Sequence, residues 1–338
     1  MSGTSKVIFS GRLDFGSKDI FDKVIAMYEQ RLEKHYRSDI VLRETEEYFN
    51  EDNRSFYIPR YVAEVSDRTW KNTINLLKFM AQFTIAGSVK VWVINKKKEV
   101  QEFTIEPEND KSAVKAFRKG REIISEKGDA EEAKKSLNYA IEKFSQHAFA
   151  YERRGRVNYL LGNLEDALYD YTKSINLFKS HPNAYLGRAI IYFKNKEYNK
   201  AIADLELAIK HSIPHQEMFW ISKRMKAECH FYLKEFEKAA FELKYFTMRK
   251  FPPDNYNYKW KKFAFTLYGK VLTELGRYSE AVSAFSSAME ISGKSENISE
   301  QLALRGLVRK KAGLKGFKKD LTEAAKLGSK MAADVLQK

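Results

Sequence analysis

Residues 151–177 read YERRGRVNYLLGNLEDALYDYTKSINL, and the placing of small and large residues in that stretch recurs along most of the chain. Its Ala167 stands 34 residues after Ala133 and 34 before Ala201. Four residues after these alanines come Leu137, Tyr171 and Leu205, and seven after come Ala140, Ser174 and Ala208. Twelve residues before them lie Arg121, Gly155 and Ala189. Ala239 and Ala281 continue the series, with Leu243 and Phe285 behind them and Ala227 and Gly269 ahead. A fixed period of this length is the mark of stacked helix pairs, each too small to bury its own apolar face. The small residues belong where two antiparallel helices cross, and the large ones fill the space between neighbouring pairs. Turn signals fall between the helices at Lys127-Gly128-Asp129, Leu161-Gly162-Asn163 and Leu275-Gly276-Arg277, where a helix must stop. An aromatic or leucine opens each second helix, as in Leu164, Tyr198, Phe236 and Tyr278.

Over residues 112–327 this pattern resembles the tetratricopeptide repeat, with six copies and the closest fit in the second, third and fifth. The resemblance implies an all-α helical solenoid that presents a binding groove lined by the first helix of each pair. The step lengthens to 38 residues before Ala239 and to 42 before Ala281, which places longer connections at Ser212-Ile213-Pro214 and at Phe251-Pro252-Pro253-Asp254-Asn255. The last copy, around Gly306 and Gly313, is one residue short before Phe317, Leu321 and Ala324. Residues 329–336 read as a short amphipathic helix that caps the array.

The first hundred residues lack the period. A strand over 7–13 precedes a helix capped by Ser17, with Ile20, Phe21, Val24, Tyr28 and Leu32 on one face. Two strands follow at 39–49 and 54–64, then a helix from Ser66, then strands at 88–94 and 100–105. That order predicts an α+β, ferredoxin-like sandwich with an added strand. Domain limits are thus 1–108 for a docking or dimerisation domain and 109–338 for the array. Both alternating sets in the late strands are apolar, with Phe56 against Tyr57 and Tyr61, and Val91 against Trp92. The second sheet face is therefore expected to be covered too, by the array, a second copy of the chain or a ligand. Phe56, Tyr57, Tyr61 and Trp92 are the predicted docking face. Since contacts in such an array run between neighbours, 109–338 is expected to fold without the first domain.

Of 60 basic and 45 acidic residues, 17 and 15 fall within 1–105, so nearly all of the +15 net charge belongs to the array. Aligned on the crossing positions, Arg118, Arg153, Arg156, Tyr159, Arg224 and Lys270 are expected near the groove. Arginine pairs with carboxylates bidentately, so a protein or acidic peptide is the expected partner. The lysine and asparagine set with which some tetratricopeptide proteins hold a terminal carboxylate is missing, since Glu122, Arg153, Asn183 and Gly187 stand in its places. Nucleic acid is the alternative partner for a basic array. The strand order also occurs in the RNA-recognition motif, but Ser55 and Tyr57 replace its small residues and Pro59 interrupts the strand.

No catalytic pattern is visible. Gly293-Lys294-Ser295 lacks the first glycine of a phosphate loop, Ala288 standing there. His211 and His215 are separated by Pro214, which breaks the helix that a metal pair needs. Neither metal nor cofactor is expected. One cysteine, Cys229, cannot close an internal disulfide, and the polar start is unlike a secretory leader, so a cytoplasmic protein with no membrane span is the expectation.

Overall fold

A computed structural model describes residues 4–37, 39–291 and 298–337. Gly293-Lys294-Ser295 lies outside them. By contacts the chain divides into two compact units, Met1–Gly187 and Arg188–Lys338, and each is taken by itself below.

The first unit opens with β1 (Thr4–Asp14) and α1 (Lys18–Gln30), which runs into a π turn at Arg31–His35. Then come α2 (Thr45–Tyr48), β2 (Phe49–Asn50), β3 (Ser55–Ser66), α3 (Asp67–Ala81), β4 (Ala86–Ile94) and β5 (Val100–Ile105). The antiparallel sheet runs β2-β3-β1-β4-β5, the split βαβ order with β5 added beyond β4. Ser17 and Ser66 cap α1 and α3 by accepting the amides of Ile20 and Thr69. Val7, Phe9, Leu13, Phe56, Ile58 and Val91 share one core with Phe21, Val24, Tyr28, Ile74 and Leu77 from the two helices. Gly11 and Gly87 let β1 and β4 approach closely, since a Cβ on either would lie 2.2 Å from a carbonyl oxygen of the other strand.

The segment expected as a strand at 39–49 is not one. Ile40, Val41 and Leu42 are all buried in the helix-side core, and the Val41 amide donates to Thr73 Oγ1 at 2.9 Å. Three consecutive apolar residues can all be buried off the sheet, whereas a paired strand would turn the middle one to the opposite face. Only Phe49 and Asn50 pair with β3.

The unit continues with α4 (Ser112–Ser125), α5 (Ala130–Lys143), α6 (Ala148–Leu160) and α7 (Leu164–Leu177), the first two helix pairs. In the first pair the crossing residue is Gly120, whose added Cβ would meet Leu137 at 2.8 Å. Arg121, read from the spacing, turns instead to Glu106 at 2.5 Å. The turn there is one residue longer than in the second pair, which shifts the register.

Within the first unit, the end of α7 and the residues after it pack on the sheet face away from α1 and α3. Arg12, 6% exposed, donates to the carbonyl of Leu177 at 2.7 Å and to Asp14 at 2.5 Å. That carbonyl lies in the last turn of α7, where a cation also meets the favourable end of the helix dipole. Tyr57 bonds Ser180 at 2.8 Å and packs edge-on against Phe178, with ring centroids 5.8 Å apart. Self-sufficiency of 109–338 would have to survive baring Leu177 and Phe178.

The second unit holds the greater part of α8 (Pro182–Lys194), then α9 (Tyr198–Lys210), α10 (Glu217–Tyr232), α11 (Phe236–Met248), α12 (Lys261–Glu274), α13 (Tyr278–Ile291), α14 (Ser299–Lys311), α15 (Phe317–Lys326) and α16 (Lys330–Gln337). Ala201, Ala239, Ala281 and Ala324 are fully buried, and a Cβ on Gly269 would strike the Phe285 ring at 2.6 Å. Substituting leucine for Ala167 or Ala201 is therefore expected to cost about 1–3 kcal/mol by overpacking. A chemical-denaturation midpoint unchanged by both substitutions would contradict the register.

Within the helix pairs runs a set of ion pairs at one repeat position. Arg154 grips Asp170 with two bonds at 2.6 and 2.9 Å, Arg188 grips Asp204 at 2.7 and 2.8 Å, and Arg305 grips Asp320 at 2.8 and 2.9 Å. Lys226 and Lys223 meet Glu242 at the same place. Arg154, Arg188, Lys226 and Arg305 each stand immediately before the crossing residue, and the acid sits in the facing helix. These five bases are engaged inside the array.

Candidate functional site

The 42-residue step between Ala239 and Ala281 builds a concavity in the second unit. Its extra residues do not form a free loop. Phe251 packs against Trp220 and Phe246 at 5.7 and 5.2 Å. Asn257 is fully buried, its side-chain amide donating to the Glu217 carbonyl at 3.1 Å. A 3-10 turn at Tyr258–Trp260 then leads into α12. This anchoring sets Trp260 under Arg224, whose guanidinium carbon lies 4.0 Å from the ring centroid. Such stacking is worth most when desolvated.

Beside Trp260 opens a cavity of about 600 Å³ lined by Lys259, Lys262, Phe263, Thr266, Leu267 and Lys270 with Glu300 and Gln301 of α14. Residues 259, 262, 263, 266 and 270 follow helical spacing, so they line one face. Phe263 is 41% exposed although it is large and apolar. Lys270 reaches Glu300 at 2.8 Å, and Lys259 lies 3.9 Å from the Tyr256 ring centroid. Gln301, 4% exposed, donates to Thr266 Oγ1 at 3.1 Å. Its Oε1 and the Trp260 indole N–H have no hydrogen-bond partner among the described residues. Buried groups of this kind are costly unless something completes them. Three lysines against one glutamate and an apolar wall suit a chain that offers carboxylates and apolar side chains.

Of the six residues expected at the groove, Lys270 and Arg224 meet at this place in different roles. Lys270 lines the cavity. Arg224 is buried, paired with Glu228 and stacked on Trp260, so it holds a wall rather than reaching a ligand. Burial pushes the Arg224 pKa down and the Glu228 pKa up, while each opposes the other's shift by attraction.

The other four lie in the first unit. Arg153, Arg156 and Tyr159 share α6, with Arg153 against Glu152 at 3.3 Å and Arg156 exposed. Arg118 of α4 borders a void of about 10 Å³ together with Ile85, Gly87, Phe117 and His147, too small for any ligand. The predicted docking face divides. Tyr57 and Trp92 do lie on the sheet face away from α1 and α3, and Trp92 is 3% exposed with its indole N–H on Glu102 at 3.0 Å. Phe56 points the other way, into the core, and Tyr61 packs against that same core. Pro59 and Arg60 together stand opposite Ser10, and this bulge switches the face of every later residue in β3.

A second hollow of about 560 Å³ lies beside Lys226, His230 and Glu242. Several of its polar groups pair with one another, Glu206 and Glu242 with Lys226, and His230 and Lys238 with Glu235. Cys229 is buried in α10, its thiol pushed up to about 12 by desolvation. Among the described residues, no group of three His, Cys, Asp or Glu side chains is placed to hold a metal, and no helix is long and apolar enough to cross a membrane.

Comparison with known proteins agrees with the repeat geometry. Family models described as tetratricopeptide repeat match residues 125–176 and 182–210. DnaJ homolog subfamily C member 7 of Homo sapiens is 31% identical over 120 residues, 32% of this chain and 24% of that protein. A TPR repeat-containing protein of Methanocaldococcus jannaschii is 25% identical over 178 residues, 52% and 30% of the two chains. Neutrophil cytosol factor 2 of Mus musculus is 38% identical over 80 residues, 22% and 15%. The chain thus spans at most 30% of the length of these curated relatives. Among solved structures, YrrB, described as a TPR protein with an unusual peptide-binding site, superposes with a TM-score of 0.52 at 18% identity, over 60% of this chain and 98% of that one. The pilF protein of Pseudomonas aeruginosa gives 0.52 at 14%, over 68% and 98%. At such identities the likeness is one of fold.

Proposed function

We propose that this chain, a tetratricopeptide-repeat protein, is a non-enzymatic cytoplasmic adaptor that grips an acidic segment of a protein partner. The grip is the α12 cavity, and the domain of residues 1–108 serves docking. The observation that carries this reading is the wall of Lys259, Trp260, Lys262, Phe263 and Lys270, where lysines outnumber acids and an aromatic is exposed. Lys270 reaches Glu300 there, and three lysines still face that one glutamate.

The test is a titration of the full chain with a fluorescent acidic decapeptide of alternating glutamate and leucine. Each desolvated charge-assisted contact is worth about 1.5–3 kcal/mol. Lys259→Glu/Lys270→Glu is therefore expected to weaken binding by roughly 100-fold or more. Lys318→Glu/Lys319→Glu, on exposed sites, is expected to change it little. Arg153→Glu/Arg156→Glu measures the α6 surface, and loss of binding there with none in the α12 variant would move the site to α6. Binding to a nucleic acid would instead fall steeply with salt and be spread over many lysines.

A further inference from the structure

The turns inside the helix pairs of the second unit, from α8–α9 to α14–α15, end their first helices in one way. The amides of Glu197, Glu235, Arg277 and Leu314 each donate to the carbonyl five residues back, at 2.8 or 2.9 Å. The residue before each has a left-handed backbone: Lys196 at φ 62°, Lys234 at 60°, Gly276 at 73° and Gly313 at 66°. Glycine takes that conformation freely and lysine does not, yet two of these tips carry an exposed lysine. Neighbouring turns touch. The Tyr198 and Tyr232 rings stack at 5.1 Å and 9°, Arg277 lies in the field of Glu237, and Lys311 reaches the Tyr278 ring at 5.5 Å. The four turns form one edge.

That edge is basic. Glu197, Glu235 and Glu280 are answered by Lys200, Lys238 and Arg277. Glu237 and Glu274 then stand beside Lys196, Lys234 and the last turn, where residues 309–319 hold six lysines and arginines and no acid. Arg309 of that run is held by Asp320, whereas its five lysines are exposed and in no ion pair among the described residues. An aromatic ring stands in the same row. Tyr232 is 54% exposed although Tyr198 stacks on it and Phe193 and Phe231 lie at 5.9 and 5.6 Å. Its ring is held in place with more than half of it in solvent.

We propose that this edge binds single-stranded nucleic acid, with phosphates along its lysines and a base on the exposed side of Tyr232. Charges spread over four turns suit a polymer of repeated phosphates, and a fixed ring among lysines suits an unpaired base. An acidic peptide offers no such base, and a duplex keeps its bases stacked inside. None of these residues lines the α12 cavity.

Fluorescence anisotropy of the full chain reads the binding, with labelled oligothymidine and oligouridine of about 30 nucleotides as probes. Binding is expected on the order of 1 µM at low salt, weakening as salt rises by about 0.7 in the log–log slope for each phosphate neutralised. Lys196→Glu/Lys234→Glu is expected to weaken it roughly 10-fold or more and to lower the slope by about 1.4. Lys318→Glu/Lys319→Glu is expected to act in the same way while sparing the acidic decapeptide. Lys259→Glu/Lys270→Glu removes as much charge at the α12 cavity, and is expected to lose the decapeptide and keep the oligonucleotide. Tyr232→Ala is expected to weaken binding about fivefold or more with the slope unchanged, and Tyr232→Phe to bind like the wild type. Circular dichroism checks the fold of each variant. Neither probe binding, equal loss in the α12 variant, or indifference to Tyr232→Ala overturns the proposal. A duplex of the same length bound as tightly as the single strand also overturns it, as does capture by phosphatidylserine vesicles with both probes unbound.

Discussion

Asp320→Ala is expected to lower the stability of the chain by about 3–5 kcal/mol. Asp320 is 2% exposed and meets three guanidinium nitrogens, two of Arg305 at 2.8 and 2.9 Å and one of Arg309 at 2.7 Å. Arg305 also donates to Ser286 at 2.8 Å, which binds α14 to α13 as well as to α15. Removing the carboxylate leaves two arginines partly buried without their counter-charge, and that uncompensated charge is what makes a broken pair costly. Asp320→Asn keeps the shape and one acceptor, so its loss is expected to fall between that of alanine and the wild type. Urea denaturation reads the difference, and a loss below about 1 kcal/mol for Asp320→Ala would show that the pair contributes little.

Acid is expected to loosen the first unit well above the pH at which ordinary carboxylates titrate. His147 and His181 stand 34 residues apart and are 1% and 2% exposed. His147 Nδ1 accepts the Ala150 amide at 3.2 Å, and His181 packs on Phe149 at 4.6 Å. Burial drops both pKa values to about 3 from 6.5, with Arg153 adding repulsion at His181. The unfolded chain therefore takes up two protons between pH 6.5 and 3 that the native chain refuses. Their contribution is whole above pH 6.5 and falls by about 1.4 kcal/mol per pH unit for each histidine.

Asp14 works in the opposite direction. Desolvation lifts it to about 6 from 3.8, against the pull of Arg12, so its ionised form penalises the native state above pH 6 and relief comes between 6 and 3.8. Asp170 is also raised by desolvation and adds to that relief. Two histidines against Asp14 alone leave a net fall of roughly 4 kcal/mol between pH 6.5 and 4 as an upper figure. His147→Asn keeps a cap acceptor on α6 and is expected to flatten the stability–pH curve over that range. A curve as steep as the wild type's would contradict the assignment.

What the chain's sequence made legible was whatever repeats at helical spacing. Ala167, Ala201, Ala239 and Ala281 are all fully buried at crossings, because a crossing admits only small residues and the period exposes them. The internal ion pairs are illegible in the sequence for the opposite reason. Arg154 and Asp170 are 16 residues apart in different helices, and charged residues on an amphipathic helix read as solvent-facing. The spacing of His147, His181 and His215 at the same period was equally visible in principle. Strict alternation puts Tyr61 on the face of Tyr57, whereas alternation is lost at Pro59–Arg60, and a bulge leaves no trace in an apolar pattern. The α12 cavity was half legible. Lys270 follows from the repeat register, but Trp260 and Lys259 belong to an insertion whose burial depends on Phe251 and Asn257 finding partners in α10 and α11.

Fluorine NMR of the full chain carrying 5-fluorotryptophan tests the α12 site most directly, because it compares the candidate surfaces in one spectrum. Trp260 borders the cavity, Trp92 lies on the far sheet face, Trp70 sits in the sheet-and-helix core and Trp220 packs under Phe251. A Trp260→Phe variant identifies the reporting signal. On titration with the acidic decapeptide, the account predicts that the Trp260 resonance shifts in step with binding while those of Trp70 and Trp92 stay in place. Saturable binding that leaves Trp260 unmoved, or that moves Trp92 instead, would contradict it.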